Sequence, residues 1–113
     1  MPIIVQKYGG TSIGSIEKIN AVANKIIAEK NNGNDLVVVL SAMSGETNRL
    51  LELAKQANSE ASGRELDVLV STGEQVTISL LALALIKNGY KAISLTGSQA
   101  GILTDSAFNK ARI

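Results

Sequence analysis

The residues best suited to chemistry stand near the start of the chain, in Lys7-Tyr8-Gly9-Gly10-Thr11-Ser12. A short apolar run, residues 3–6, leads into them and a helical pattern follows. Two glycines let the backbone come close to an anion. Amides at a helix start carry the positive end of the helix dipole, and Lys7 adds a full charge beside them. A strand, a glycine turn and a helix start of this composition suit a polyphosphate. They also suit an ordinary tight turn with a capped helix and a solvated lysine, and spacing alone does not separate the two. The segment is not a P-loop, which needs Gly-x-x-x-x-Gly-Lys-[Ser/Thr]. Gly9, Gly10 and Gly14 are also wrongly spaced for a dinucleotide fingerprint.

Three later polar segments could share that site. Ser41-Ala42-Met43-Ser44-Gly45-Glu46-Thr47 follows a second apolar run, and ligands of open parallel sheets bind outside the carboxyl ends of strands. Lys7, Ser41 and Thr47 would then lie on one edge, although the pattern alone favours Ser44 or Thr47 as the N-cap of the second helix. Glu74 sits in Ser71-Thr72-Gly73-Glu74-Gln75 between two apolar segments. A carboxylate there needs a partner or water. It can hold a substrate amine, or it can belong to the solvated face of an amphipathic helix. Thr96-Gly97-Ser98-Gln99-Ala100-Gly101 reads as a loop lining the same cleft or simply connecting elements. Tyr8 either packs against the helix or reaches the ligand.

Composition narrows the field. The chain has 113 residues, which implies one domain with a modest core. It is 45% hydrophobic and 19% charged, as a folded soluble protein is. Eleven basic residues against ten acidic ones give a formal charge of +1, and aromatic residues make up 3%. Neither figure suggests a nucleic-acid or membrane partner. Cysteine and histidine are both absent. Disulfides, a Cys/His zinc site, a thiol nucleophile and a Ser-His-Asp triad are thereby excluded, and no metal-ligand set is assigned. The N-terminus lacks the marks of a signal peptide. The most apolar stretch, residues 76–86, is shorter than a bilayer span and reads as a core helix. A cytoplasmic location is expected.

Elements that would position these residues follow from periodicity. After the first strand, Ile13, Ile16, Ile19, Ala23, Ile26 and Ile27 recur at helical spacing, with Thr11 or Ser12 as N-cap and the run from Asn31 to Asn34 as the stop. Residues 36–40 form an unbroken apolar run, as in a strand buried on both faces. A second helix carries Leu50, Leu51, Leu53, Ala54 and Ala57. A third begins near Arg64 and passes Gly73, which marks either a break or a point of close packing. Residues 92–95 read as a third strand and residues 102–104 as a short edge strand. The end, residues 108–113, carries no stop signal and reads as cut where another strand begins. The alternation implies a three-layer α/β sandwich with a mostly parallel sheet.

Taken together, the segments resemble aspartate kinases of the amino-acid kinase family. The matching runs are Lys7-Tyr8-Gly9-Gly10-Thr11-Ser12, then Val38-Val39-Leu40-Ser41-Ala42-Met43-Ser44-Gly45-Glu46-Thr47-Asn48, then Glu65-Leu66-Asp67 with Ser71-Thr72-Gly73-Glu74-Gln75, and finally Thr96-Gly97-Ser98-Gln99-Ala100-Gly101-Ile102. The resemblance implies phosphoryl transfer from Mg-ATP to the side-chain carboxylate of aspartate, the first step towards lysine, threonine and methionine. By that resemblance Lys7 is the catalytic residue, and Lys7, Tyr8, Gly9, Gly10 and Ser41 bind ATP. Thr47 and Glu74 bind aspartate, and the cofactors are ATP and Mg2+. The parent enzyme is expected to be oligomeric. Family members are considerably longer, and an Arg-Gly-Gly-Ser-Asp-like run, most of the adenine site and the regulatory domains have no counterpart here. Residues 1–113 are therefore read as the N-terminal part of a catalytic domain that has little or no kinase activity alone. Competing readings are a kinase of the same fold with another acceptor and a non-catalytic module that binds an anion or pairs with a partner.

Overall fold

The computed structural model describes residues 2–95. The expected loop at residues 96–101, the edge strand at 102–104 and the chain end at 108–113 lie outside the described residues.

Strand β1 (Ile3–Tyr8) and strand β2 (Asp35–Leu40) pair in parallel, with Ile3 opposite Asp35 and Tyr8 opposite Leu40. A parallel pair needs a long crossover, which helix α1 (Ile16–Asn31) supplies. Ile19, Val22, Ala23 and Ile26 are its buried residues. They follow the i, i+3, i+4, i+7 spacing read from the sequence. Burial of each of the three larger ones, Ile19, Val22 and Ile26, contributes roughly 1.5–3 kcal/mol. Helix α2 (Glu46–Ala57) turns Leu50 and Ala54 inward. Helix α3 (Gly63–Lys87) turns in Gly73, Thr77, Leu81, Ala84 and Leu85 and packs on both α1 and α2. One core cluster joins Ile13, the α1 stripe, Leu40 and the second half of α3.

The starts of both α1 and α2 depart from expectation. The N-cap of α1 is Ser15, whose Oγ accepts from the Lys18 amide at 3.2 Å, and not Thr11 or Ser12. Those two residues belong to a separate 3-10 turn, Gly10–Ile13, which buries Ile13 completely before Gly14 and Ser15 restart the chain. Helix α2 is capped by Gly45, at φ 83°, and not by Ser44 or Thr47. A left-handed backbone there admits glycine without strain.

Among the described residues, strand β2 is covered on one face only. Val37 and Val39 are 51% and 46% exposed, as are their neighbours Ile3 and Val5 at 69% and 67%, because the helices pack on the opposite face. Residues 92–95 pair with neither strand, so the described sheet has two strands. Ala92 leans on the core while Ile93 stays exposed. An apolar run becomes a strand only where a ladder partner is in reach, and local sequence does not reveal that partner.

Helix α3 runs unbroken through the polar stretch at 71–75. Ser71 and Thr72 return their hydroxyls to the carbonyls three residues back, and buried Thr77 bonds the Gly73 carbonyl at 3.1 Å. The Ser71, Thr72 and Thr77 hydroxyls are thus satisfied within the helix. By length and composition α3 could cross a membrane, but its inner stripe is the central packing surface of this fold.

Candidate functional site

Parallel strands end on the same side, so the two loops that follow β1 and β2 meet. Ser41 N donates to Tyr8 O at 3.4 Å, continuing the ladder by one step, and Ser44 N donates to Gly10 O at 3.2 Å. The glycine turn and the 41–45 loop therefore form one rim at the carboxyl ends of the strands.

Lys7 is the penultimate residue of β1, opposite Val39. Strand alternation puts it on the exposed sheet face with Ile3 and Val5. Its ammonium has no hydrogen bond or ion pair among the described residues. Tyr8 points the other way, half-buried against the core cluster, and its hydroxyl donates to Gln6 Oε1 at 2.9 Å. Its backbone, and not its ring, belongs to the rim.

Gly9 has φ −87° and ψ 172°, an extended conformation open to any residue. A Cβ there would meet nothing within 4 Å. A Cβ on Gly10 would instead stand 3.0 Å from the Ala42 carbonyl oxygen and 3.3 Å from the Ser44 nitrogen. The turn closes with Ser12 N donating to Gly9 O at 3.0 Å. A turn closed this way leaves the amides of Gly10 and Thr11 without a partner inside it.

Ser41 is half-buried behind this turn, its hydroxyl bonded to the Ala42 carbonyl at 3.2 Å. Thr47 is exposed in the first turn of α2, and Glu74 is exposed on α3. The two helices touch at Gly73, where a Cβ would lie 3.0 Å from Ala42 Cβ, 3.3 Å from Glu46 Cγ and 3.3 Å from Leu50 Cδ1. Thr47 and Glu74 are each one residue from that contact. Gly73 is therefore a point of close packing and not a break.

Lys7, Tyr8, Gly9, Gly10 and Ser41 come together at the strand ends, with Thr47 and Glu74 along the adjoining α2–α3 seam. Sequence reasoning missed three participants. Lys18 Nζ donates to the Thr11 carbonyl at 2.9 Å. Side chains in a helix lean towards its N-terminus, and that was the available signal. Gly14 lies against the Gly10 carbonyl, where a Cβ would be 3.3 Å away. Arg49 Nε binds both Glu46 carboxylate oxygens, at 3.2 and 3.1 Å. That hydrogen bond, aided by the guanidinium charge, holds the Glu46 carboxyl below its ordinary value and the Arg49 guanidinium above its own.

A hollow of about 340 Å³ lies on another flank, lined by Asn48, Leu51, Glu52, Lys55, Leu66 and neighbouring alanines. It includes none of the rim residues. Among the described residues no group of three or more acidic side chains could cage a metal.

Comparison with known proteins shows the family to which the chain belongs. An aspartate kinase of Pseudomonas putida is 66% identical over 113 residues, which cover 100% of this chain and 28% of that protein. Aspartokinase 2 of Bacillus subtilis is 56% identical, again over 100% of this chain and 28% of its own length. The crystal structure of aspartate kinase from Synechocystis superposes with a TM-score of 0.82 at 54% identity, over 86% of this chain and 17% of that one. The chain thus spans about 28% of the length of the curated relatives it matches. These relatives favour the reading as part of an aspartate kinase over that of a non-catalytic anion-binding module. The model of the amino acid kinase family matches residues 2–113, and with this parallel β-α-β unit and its glycine rim the chain belongs to that family.

Proposed function

We propose that this chain supplies the phosphate-binding rim and part of the amino-acid site of an aspartate kinase. The reaction moves the γ-phosphoryl group of Mg-ATP onto a side-chain carboxylate oxygen of aspartate. The bond from phosphorus to the bridging oxygen breaks, a bond to the carboxylate oxygen forms, and 4-phospho-aspartate and ADP result. The acceptor is already ionised at neutral pH, so the step needs no general base. It needs alignment and cancellation of charge. A chain without histidine or cysteine can supply both.

The observation that carries this reading is Gly9. Its conformation suits any residue and no atom of the described residues fills the space of a Cβ, so packing among the described residues does not require glycine there. A ligand approaching the backbone does. Lys7 and the amides of Gly10 and Thr11 would meet the transferring phosphates, with Tyr8 contributing its main chain. Ser41 would steady the β2 side of the rim. Thr47 would donate its hydroxyl to aspartate, and Glu74 would accept from the substrate ammonium. Magnesium arrives with the nucleotide as part of the substrate. The site is expected to work in the cytoplasm within a longer, oligomeric enzyme.

Two measurements test this. The purified 113-residue chain should form no aspartyl phosphate, trapped as the hydroxamate, and should show no response to lysine or threonine. A chimera in which this chain replaces the matching 28% of the Pseudomonas putida enzyme should form it. Turnover by the isolated chain would refute the division of labour, and a folded but inactive chimera would refute the kinase role.

A further inference from the structure

Three consecutive carbonyls of the glycine turn each receive a donor. Gly9 O accepts from Ser12 N at 3.0 Å, Gly10 O from Ser44 N at 3.2 Å, and Thr11 O from Lys18 Nζ at 2.9 Å. The first two donors are backbone amides and the third is a charged side chain. We propose that Lys18 is a positioning residue of the phosphate turn, acting through two peptide units on the Gly10 amide. This rests on the polyphosphate reading of the turn.

The path can be followed atom by atom. Lys18 Nζ holds the oxygen end of the Thr11–Ser12 peptide. The N–H end of that peptide donates to Gly9 O, which is the oxygen end of the Gly9–Gly10 peptide. Its N–H end is the Gly10 amide, one of the two left unpaired by the turn. A cation therefore stands at the tail of two linked peptide dipoles whose free N–H is offered to an anion. Linked hydrogen bonds polarise one another in the same sense. Holding each carbonyl on its own donor also keeps oxygen lone pairs from turning towards the phosphates, so the donors are arranged before the ligand arrives.

Helix stability gives no reason for this lysine. Lys18 is the third residue of α1, and a cation in a first turn opposes the helix dipole. The Ser15 cap needs only the Lys18 backbone amide.

The test uses the 113-residue chain with Lys18→Met, which removes charge and donor, and Lys18→Arg, which retains both. Amide exchange and tripolyphosphate titration are followed at assigned amide resonances. Lys18→Met should speed exchange at Ser12 and weaken tripolyphosphate binding, each by about fivefold, the scale of one lost hydrogen bond. Lys18→Arg should restore both. Exchange at Val22 and Ile26 and the thermal midpoint should stay unchanged. If the unsubstituted chain binds tripolyphosphate and Lys18→Met binds it equally well, the role of Lys18 is overturned and the phosphate reading stands. If exchange rises along all of α1 in both variants, Lys18 merely stabilises the helix and the proposal fails. If tripolyphosphate leaves the Gly9, Gly10 and Thr11 resonances of the unsubstituted chain unmoved, the phosphate reading itself fails and takes the proposal with it.

Discussion

Gly9 and Gly10 are adjacent in the chain, yet they lie in regions of opposite character. Gly10 belongs to a packed seam in which the turn, the 41–45 loop and α3 meet through atoms no larger than a methyl group. Gly10 faces the Ala42 carbonyl, and Gly73 faces the other side of Ala42 through its Cβ. Gly9 belongs to the open rim, where none of the described residues occupies the space a side chain would take. The same residue type thus answers two demands. In the seam glycine permits protein to touch protein, and on the rim it keeps a place clear. Substitutions should therefore separate into those that damage the fold and those that damage only ligand binding.

The seam should give the largest loss of stability. Gly73→Val drives a branched side chain into Ala42 Cβ, which is fixed to its backbone and cannot rotate away. Overpacking of this kind costs about 2 kcal/mol, so thermal denaturation should show a midpoint lower by roughly 10 °C. Gly10→Ala should come next, at about 1 kcal/mol, because its methyl meets a backbone carbonyl that can shift only with the whole loop. A Gly10→Ala chain as stable as the parent would remove the packed seam from the comparison. Gly9→Ala should leave stability unchanged or raise it by about 0.5 kcal/mol through the unfolded chain, while weakening tripolyphosphate binding measured by titration. If Gly9→Ala destabilises the chain, the rim is a structural turn after all.

How much of this contrast was legible beforehand depended on the distance a residue must see. The parallel unit was readable because β1, the inward stripe of α1 and β2 are written in local periodicity. The Gly73 alternatives were readable too, but choosing between them required knowing that Ala42 and Leu50 stand opposite, more than twenty residues away. The α1 cap was missed because a one-turn 3-10 segment and an α-helix start share the same glycine and hydroxyl residues. The open face of β2 was missed for another reason. An apolar run reports that a face can be buried, and it does not report whether anything covers it. Within the site, the strand-end cluster of Lys7, Tyr8, Gly9, Gly10 and Ser41 followed from the parallel topology, while the lean of Lys18 towards the helix N-terminus was readable but the turn geometry that puts the Thr11 carbonyl within its reach was not.

The smallest effect should be electrostatic and lies beside the seam. The Arg49 hydrogen bond holds the Glu46 carboxyl below its ordinary value. A carboxyl depressed in the folded state stabilises above its unfolded value, and that contribution disappears as pH falls through the folded one. Glu46→Gln should therefore destabilise the chain slightly at pH 7 and leave it unchanged near pH 2, with the gap narrowing in high salt because the pair is exposed. Denaturant titrations at the two pH values would show it, and an equal effect at both would mean the ion pair contributes nothing.

The most direct test of the open rim is the turnover number of the chimera with and without Lys7→Met. Loss of the charge we propose for the transferring phosphates should lower kcat by at least about a hundredfold, while the thermal midpoint stays in place because Lys7 has no hydrogen bond or ion pair among the described residues. Aspartyl phosphate formation within a few-fold of the unsubstituted chimera would contradict the account.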